Sequence, residues 1–305
     1  MIKKIHIIAA TDYSLAATNA CRYAIKLAKH LSGVVTFIHV YKYPAVMPDS
    51  LSERDKIKKY LSDIESKKIE EYRLEILAKM KIRTDEIETN GFAYEGDITN
   101  EILDEAKRSE ADFIITGTHG PAGFRKRFIG NHTWEIIRKS PVPVFAVPQD
   151  SSFNGFKNIV FGTEYNQDEI PVIKFLSHLA GLSEGHLTIL HVSEKRLSAN
   201  GELKIAQDFQ KDVIDKSGLH NFDLTIIQND EIAEGLDKFC VEKNADCIIL
   251  SNNKSLRIEN ILPPLLRKTK KLSTISQVPL LVIPAYYSIL QKKFWELSGL
   301  EYYFR

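Results

Sequence analysis

The sequence predicts two tandem α/β domains, each a parallel sheet covered by helices on both faces. Three observations carry that prediction. The chain has 305 residues, two domains' worth at roughly 100–200 residues each. One order of segments occurs twice. Within each half, short apolar runs alternate with helical patterns, as strand–helix–strand units require.

The repeat is collinear. Ile5-His6-Ile7-Ile8-Ala9-Ala10-Thr11-Asp12 resembles Asn158-Ile159-Val160-Phe161-Gly162-Thr163-Glu164, and Thr36-Phe37-Ile38-His39-Val40 resembles Thr188-Ile189-Leu190-His191-Val192. Both matches have an offset of 152. Ala111-Asp112-Phe113-Ile114-Ile115 then matches Ala245-Asp246-Cys247-Ile248-Ile249, and Val142–Pro148 matches Val278–Pro284. The period is the size of a domain, so the chain is a duplication and not a solenoid.

In the first half, Ile5–Ala10 reads as a buried strand. Ala20, Ala24, Leu27, Ala28 and Leu31 mark one helix face, stopped by Ser32-Gly33. Val34–Val40 is a second strand, and Lys42–Ser52 a loop broken by Pro44 and Pro48. A long charged helix is expected from Glu53 to Met80, burying Ile57, Leu61, Ile64, Tyr72 and Ile76. A third strand is expected near Asp85–Thr89. Ile98, Ile102, Leu103 and Ala106 mark a helix that Asp97 can cap. Phe113–Thr116 is a fourth strand, a helix near His132–Lys139 ends before Pro141, and Val144–Val147 is a fifth strand. Near-continuous apolar strands imply a sheet buried on both faces. The expected domains are 1–150 and 151–285, joined by a small, polar linker at Asp150–Gly155. The remaining 286–305 form an aromatic-rich helical tail that packs on its own domain or a partner.

Composition narrows the function. A net charge of +1 gives no global field for nucleic acid or an anionic membrane. No apolar run approaches the roughly 18 residues of a membrane span, and Thr11-Asp12 interrupts the N-terminal run before it resembles a signal peptide. Cys21, Cys240 and Cys247 form no CxxC pair, and the nine histidines contain no HExxH. A sparse, odd cysteine count fits a reducing, cytoplasmic compartment.

Ligands of open parallel sheets bind beyond the carboxyl ends of the strands. The first strand ends in Ala10-Thr11-Asp12 and the fourth in Thr116-Gly117-Thr118-His119-Gly120; Gly130-Asn131-His132-Thr133 then opens a helix. Glycines admit close backbone approach, free N–H groups form an anion nest, and a helix start aims more N–H groups at the same point. Asn131 and Thr133 add side-chain hydrogen bonds, and Arg125-Lys126-Arg127 add positive charge. Asp12 can accept from ribose hydroxyls or an adenine amino group, or cap the following helix. The spacing Gly-x2-Gly-x9-Gly is neither GxxxxGK[ST] nor GxGxxG.

With these residues in place the chain resembles the universal stress protein family over nearly all of Met1–Pro284, as two copies. The carriers are Thr11-Asp12, Gly96-Asp97, Ala111–Gly120, Gly130 and Pro141-Val142-Pro143-Val144. The resemblance implies Rossmann-like five-stranded parallel sheets of order 3-2-1-4-5 and an adenine nucleotide, ATP or a relative, with accompanying Mg left open. By position, Asp12 and the backbone of Val40 would hold the adenosine end, and Gly117, His119, Gly120, Gly130, Asn131 and Thr133 the phosphates. Ala10, Thr11, Thr118 and His132 complete the expected site. The family usually has Ser or Thr where this chain has Asn131. In the second copy Glu164 replaces Asp12, Ser251-Asn252-Asn253-Lys254 replaces Gly117–Gly120, Asp230 replaces Gly96, and Pro263-Pro264 falls where Gly130 should be. No nucleotide is expected there. His39 and His191, which recur in both copies, are expected to pack.

The leading expectation is a non-enzymatic, nucleotide-binding stress-response protein. Its second copy would serve as the fixed half of an intrachain pseudo-dimer joined through the last strand of each half, and an unknown protein partner would read the ligand. Homodimerisation stays open. Slow ATP hydrolysis and a ligand-free dimerisation module are the alternatives.

Overall fold

The structure, a computed structural model, describes residues 4–118, 130–193, 199–252 and 278–284. It divides into two compact units, with the boundary between Ser152 and Phe153. The first unit runs β1 (His6–Thr11), α1 (Leu15–His30), β2 (Val34–Tyr41), α2 (Leu51–Lys79), β3 (Thr89–Glu95), α3 (Ile98–Arg108), β4 (Phe113–Gly117), α4 (Asn131–Lys139) and β5 (Val144–Val147). All its strand pairs are parallel, in the order β3-β2-β1-β4-β5. The second unit runs β6 (Asn158–Gly162), a 3-10 turn (Gln167–Glu169), α5 (Ile170–Gly181), β7 (His186–Ser193), α6 (Ala199–Ser217), β8 (Asp223–Gln228), α7 (Ile232–Glu242), β9 (Cys247–Asn252) and β10 (Leu280–Pro284). Its order, β8-β7-β6-β9-β10, is the same topology.

The two copies start their sheets with the same device. Asp112 accepts the His6 N–H at 2.7 Å, and Asp246 accepts the N–H groups of Lys157 and Asn158 at 2.9 and 2.8 Å. This explains the repeated Ala-Asp: the carboxylate fixes the first strand against the fourth. Ile7, Ile8 and Ala9 of β1 and Ile114 and Ile115 of β4 are wholly buried. Helices α1 and α2 pack together, as do α3 and α4, and the central strands are covered on both faces. Cys21, Cys240 and Cys247 are free and buried; burial pushes the Cys21 thiol up to about 12.

Three expectations need correction. The third strand lies at Thr89–Glu95, because Asp85-Glu86 belong to a turn in which Glu86 N–H bonds the Arg83 carbonyl. This edge strand leaves Asn90, Phe92 and Glu95 exposed, so it offers no apolar run to read. In α2 the core is met by Ile69, Ile76 and Leu77, and Ile64 is exposed. Only the C-terminal half of this long helix lies on buried core. The cap of α1 is Ser14, whose side chain accepts from Ala17 N–H, and not Asp12. The boundary between the units falls within the expected linker, Asp150–Gly155, where Asn19 donates to the carbonyls of Pro148 and Ser151 at 2.8 and 2.6 Å, and Ser151 and Phe153 are buried. The tail 286–305 lies outside the described residues. No described helix is long and apolar enough to cross a membrane.

Candidate functional site

Strand β1 has β2 on one side and β4 on the other, so the chain crosses over in opposite directions and leaves a crevice at the strand ends. A cavity of about 140 Å3 sits there. Ala10, Thr11 and Asp12 end β1, and Val40 flanks them on β2. Gly117 ends β4, and Gly130, Asn131, His132 and Thr133 open α4. These nine expected residues meet around one space. Thr118 is outside the lining, and His119, Gly120 and Arg125-Lys126-Arg127 lie outside the described residues. Sequence reasoning missed Ala17, Ile38, Ile98, Ile102, Thr116 and Ile136, which give the cavity its apolar walls. Their signal was positional: each sits at a strand end or in the first two turns of a helix facing it.

The Asp12 end is prearranged. Thr11 Oγ1 accepts Tyr13 N–H at 3.0 Å, and Asp12 Oδ1 accepts Ser14 N–H at 3.0 Å. Together they hold Tyr13 in the left-handed region, at φ 63°. This Asx-type turn leaves the exposed Asp12 carboxylate its second oxygen, which bonds no protein group among the described residues. On β2, the Tyr41 carbonyl accepts from Gly96 N–H on the β3 side. Ladder alternation therefore points the backbone groups of Val40 the other way, past the end of β1.

The two glycines at the far end do different work. A Cβ on Gly117 would sit 2.8–2.9 Å from the backbone of Ala16 and Ala17, so this glycine lets α1 close against β4. A Cβ on Gly130 would meet nothing within 4 Å. The Gly130 backbone is ordinary at φ −59°, so its missing side chain serves only to keep space open. Gly130 caps α4 without any side-chain cap bond, and the first helical bond runs from Trp134 N–H to the Gly130 carbonyl. The N–H groups of Asn131, His132 and Thr133 thus form a helix start facing the cavity. The Thr133 hydroxyl is buried and donates to the Gly117 carbonyl at 3.0 Å, which ties α4 to β4; its expected role as a side-chain phosphate ligand is replaced by this structural bond. His132 Nδ1 lies 3.5 Å from Thr99 Oγ1.

Beneath the Asp12 turn, the His39 ring stacks on Tyr13 with centroids 4.3 Å apart, and its Nδ1 bonds the Thr11 carbonyl at 2.9 Å. Glu65 lies 3.7 Å from its Nε2. Burial lowers the His39 pKa against the pull of Thr11 and Glu65. The second unit repeats the arrangement with Tyr165, His191, Thr163 and Glu202, at 4.4 Å between rings, 2.8 Å to the carbonyl and 3.3 Å to the carboxylate. The histidines brace the turn in both copies.

The corresponding space of the second unit is only about 10 Å3. Leu250 stands where Thr116 does, its Cδ2 within 2.8 Å of where a Cβ on Gly162 would be. Glu169 occupies the place of Ala17 and is fully buried, accepting from the Thr163 hydroxyl at 2.5 Å. Asn253, Lys254 and Pro263-Pro264 lie outside the described residues.

Residues 5–148 match the sequence profile of the universal stress protein family. The first half of this chain is similar to the universal stress proteins. It is 25% identical over 142 residues to universal stress protein YxiE of Bacillus subtilis, covering 46% of this chain and 96% of that protein. It is 27% identical over 143 residues to universal stress protein MJ0531 of Methanocaldococcus jannaschii, covering 46% of this chain and 80% of that protein. The fold likeness extends further. A universal stress protein structure from Archaeoglobus fulgidus aligns with TM-score 0.61 and 15% identity, covering 93% of this chain and 97% of its own. A putative universal stress protein from Pseudomonas aeruginosa aligns with TM-score 0.58 and 12% identity, covering 97% and 96%.

Among the described residues, the titratable groups lining the cavity are Asp12 and His132. Among the described residues no group of three or more His, Cys, Asp and Glu is placed to hold a metal ion.

Proposed function

We propose that the first domain binds one adenine nucleotide per chain, ATP or a relative, and that the second domain binds none. The observation that carries this is the open start of α4 facing the Asp12 turn across one cavity. The N–H groups of Asn131, His132 and Thr133 and the positive end of the α4 dipole suit phosphate. The free oxygen of Asp12 and the outward backbone of Val40 suit the hydroxyls and base of a nucleoside. Ile38, Ile98, Ile102 and Ile136 supply an apolar bed for a ring.

The bound nucleotide is held rather than turned over. Asp12 stands at the nucleoside end, across the cavity from the α4 start, and His132 Nδ1 lies 3.5 Å from Thr99 Oγ1, so the reading gives neither of them the role of a base on a water at the phosphates. The protein acts as a nucleotide-responsive module of the stress response, read by a protein partner. Titration calorimetry of the full chain with ATP, ADP, AMP and cyclic AMP tests the reading. Saturable binding of at least one of them at one site per chain is expected; no heat from any of the four overturns it.

A further inference from the structure

The second unit contains another cavity, at the opposite end of its sheet. It encloses about 130 Å3 and is lined by Asn158, His186, Thr188, Asp223, Thr225, Phe239 and Lys243 above Ile159 and Val160. It lies at the amino ends of β6, β7 and β8, remote from the strand ends where the first unit carries its site.

The first unit shows why this space is open. His6 pairs with Val34 as Asn158 pairs with His186, and Thr36 and Thr188 each follow two residues on. In the first unit the His6 imidazole fills the position. Its Nε2 bonds Thr36 Oγ1 at 2.8 Å, and its Nδ1 bonds the Ser109 carbonyl at 3.2 Å. In the second unit the shorter Asn158 turns its amide to the Asn244 carbonyl at 3.4 Å. Thr188 is buried, and no side chain reaches its hydroxyl among the described residues. The duplication has thus kept the threonine and lost the ring.

We propose that this cavity binds a small nitrogen heterocycle of imidazole size bearing an acidic arm. The ring takes the volume that His6 takes in the first unit and bonds the Thr188 hydroxyl, packing against Phe239. The size fits: an engineered apolar cavity of roughly 150 Å3 holds benzene. The arm meets Lys243, whose Nζ lies 5.8 Å from the Phe239 ring centroid and which pairs with no carboxylate among the described residues. At the rim, Asp223 Oδ2 is taken up by His186 Nε2 at 2.9 Å. Lys243 is the cavity-lining cation without an acidic partner among the described residues.

Imidazole-4-acetate and plain imidazole are the probes, titrated into the full chain by calorimetry and by NMR shift perturbation. Imidazole-4-acetate binds the wild type, and plain imidazole binds roughly tenfold more weakly for want of the charged contact. Lys243→Met erases that difference. Asn158→His supplies the ring from within: it abolishes probe binding and raises Tm by about 2–4 °C. Thr188→Val weakens both probes and provides a second reading if Asn158→His folds poorly. No binding of either probe to the wild type at millimolar concentration, or binding that Asn158→His and Thr188→Val both leave unchanged, overturns the proposal. Equal binding of the two probes overturns the acidic arm.

Discussion

The backbone N–H of Gly130 donates to the carbonyl of Thr118 at 2.8 Å. Thr118, after the end of β4, and Gly130, before the start of α4, therefore meet at one point. The bond uses the Gly130 donor internally and leaves Asn131, His132 and Thr133 as the helix-start groups available to an anion. It also aligns α4 with the end of β4, a link that the Thr133 hydroxyl reinforces through the Gly117 carbonyl.

Gly117→Ala and Gly130→Ala should separate folding from binding. A Cβ at Gly117 collides with the backbone of Ala16 and Ala17, so this variant loses roughly 1–3 kcal/mol in urea unfolding. A Cβ at Gly130 meets no protein atom. That variant stays within about 1 kcal/mol of wild type while its nucleotide affinity falls by roughly tenfold or more through blocked backbone approach. Equal stability of the two variants would contradict these assignments.

Ser14→Ala and Asp12→Ala should divide in the same way. Ser14 caps α1, and its loss costs about 1 kcal/mol of stability without a direct effect on ligand. Asp12→Ala removes the carboxylate proposed to meet the nucleoside and lowers affinity roughly tenfold. Calorimetry on the pair checks this; an Asp12→Ala protein with unchanged affinity removes Asp12 from the site.

Much of this was legible in the sequence, and the failures have a common physical origin. Central strands such as β1 and β4 are buried on both faces, so they appear as apolar runs. Edge strand β3 is half exposed and disappears among polar residues. Asp12 was rightly placed at the strand end, but whether it or Ser14 caps α1 depends on a turn held by Tyr13 at positive φ, which no spacing reveals. Gly117 and Gly130 look alike as letters. Only the approach of α1 to β4 shows that one is required by packing and the other by open space. The departures of the second copy were legible at Glu164 and Ser251, whereas Leu250, which lines the small space there, and Glu169, buried in the place of Ala17, are unremarkable until seen in place.

Asp237 is buried, with neither carboxylate oxygen hydrogen-bonded among the described residues, at the position of Leu103 in the first unit. Burial and the neighbouring Glu234 raise its pKa to about 6. The folded state therefore holds its proton more tightly than the unfolded state. The stability linked to Asp237 is fully present below the unfolded value and is lost as pH rises through about 6. Asp237→Leu is expected to stabilise the protein by about 2 kcal/mol at pH 7, with the advantage shrinking as pH falls below 6. Urea unfolding of both proteins across that range measures it; a pH-independent difference would refute the assignment.

His39 titrates in the opposite sense. Its pKa is lowered in the folded state, so the unfolded chain takes up the proton first. Stability falls as pH drops from the unfolded value of about 6.5 towards the lower folded value. His39→Asn should flatten that part of the stability profile, measured as Tm against pH. A profile unchanged by the substitution would show that another group controls it.

Native mass spectrometry of the full chain with added ATP and related adenine nucleotides tests the central claim most directly. The account predicts a shift of one nucleotide mass per chain, retained in Leu250→Ala and diminished in Asp12→Ala. Two nucleotides per chain, or none with any of them, would contradict it.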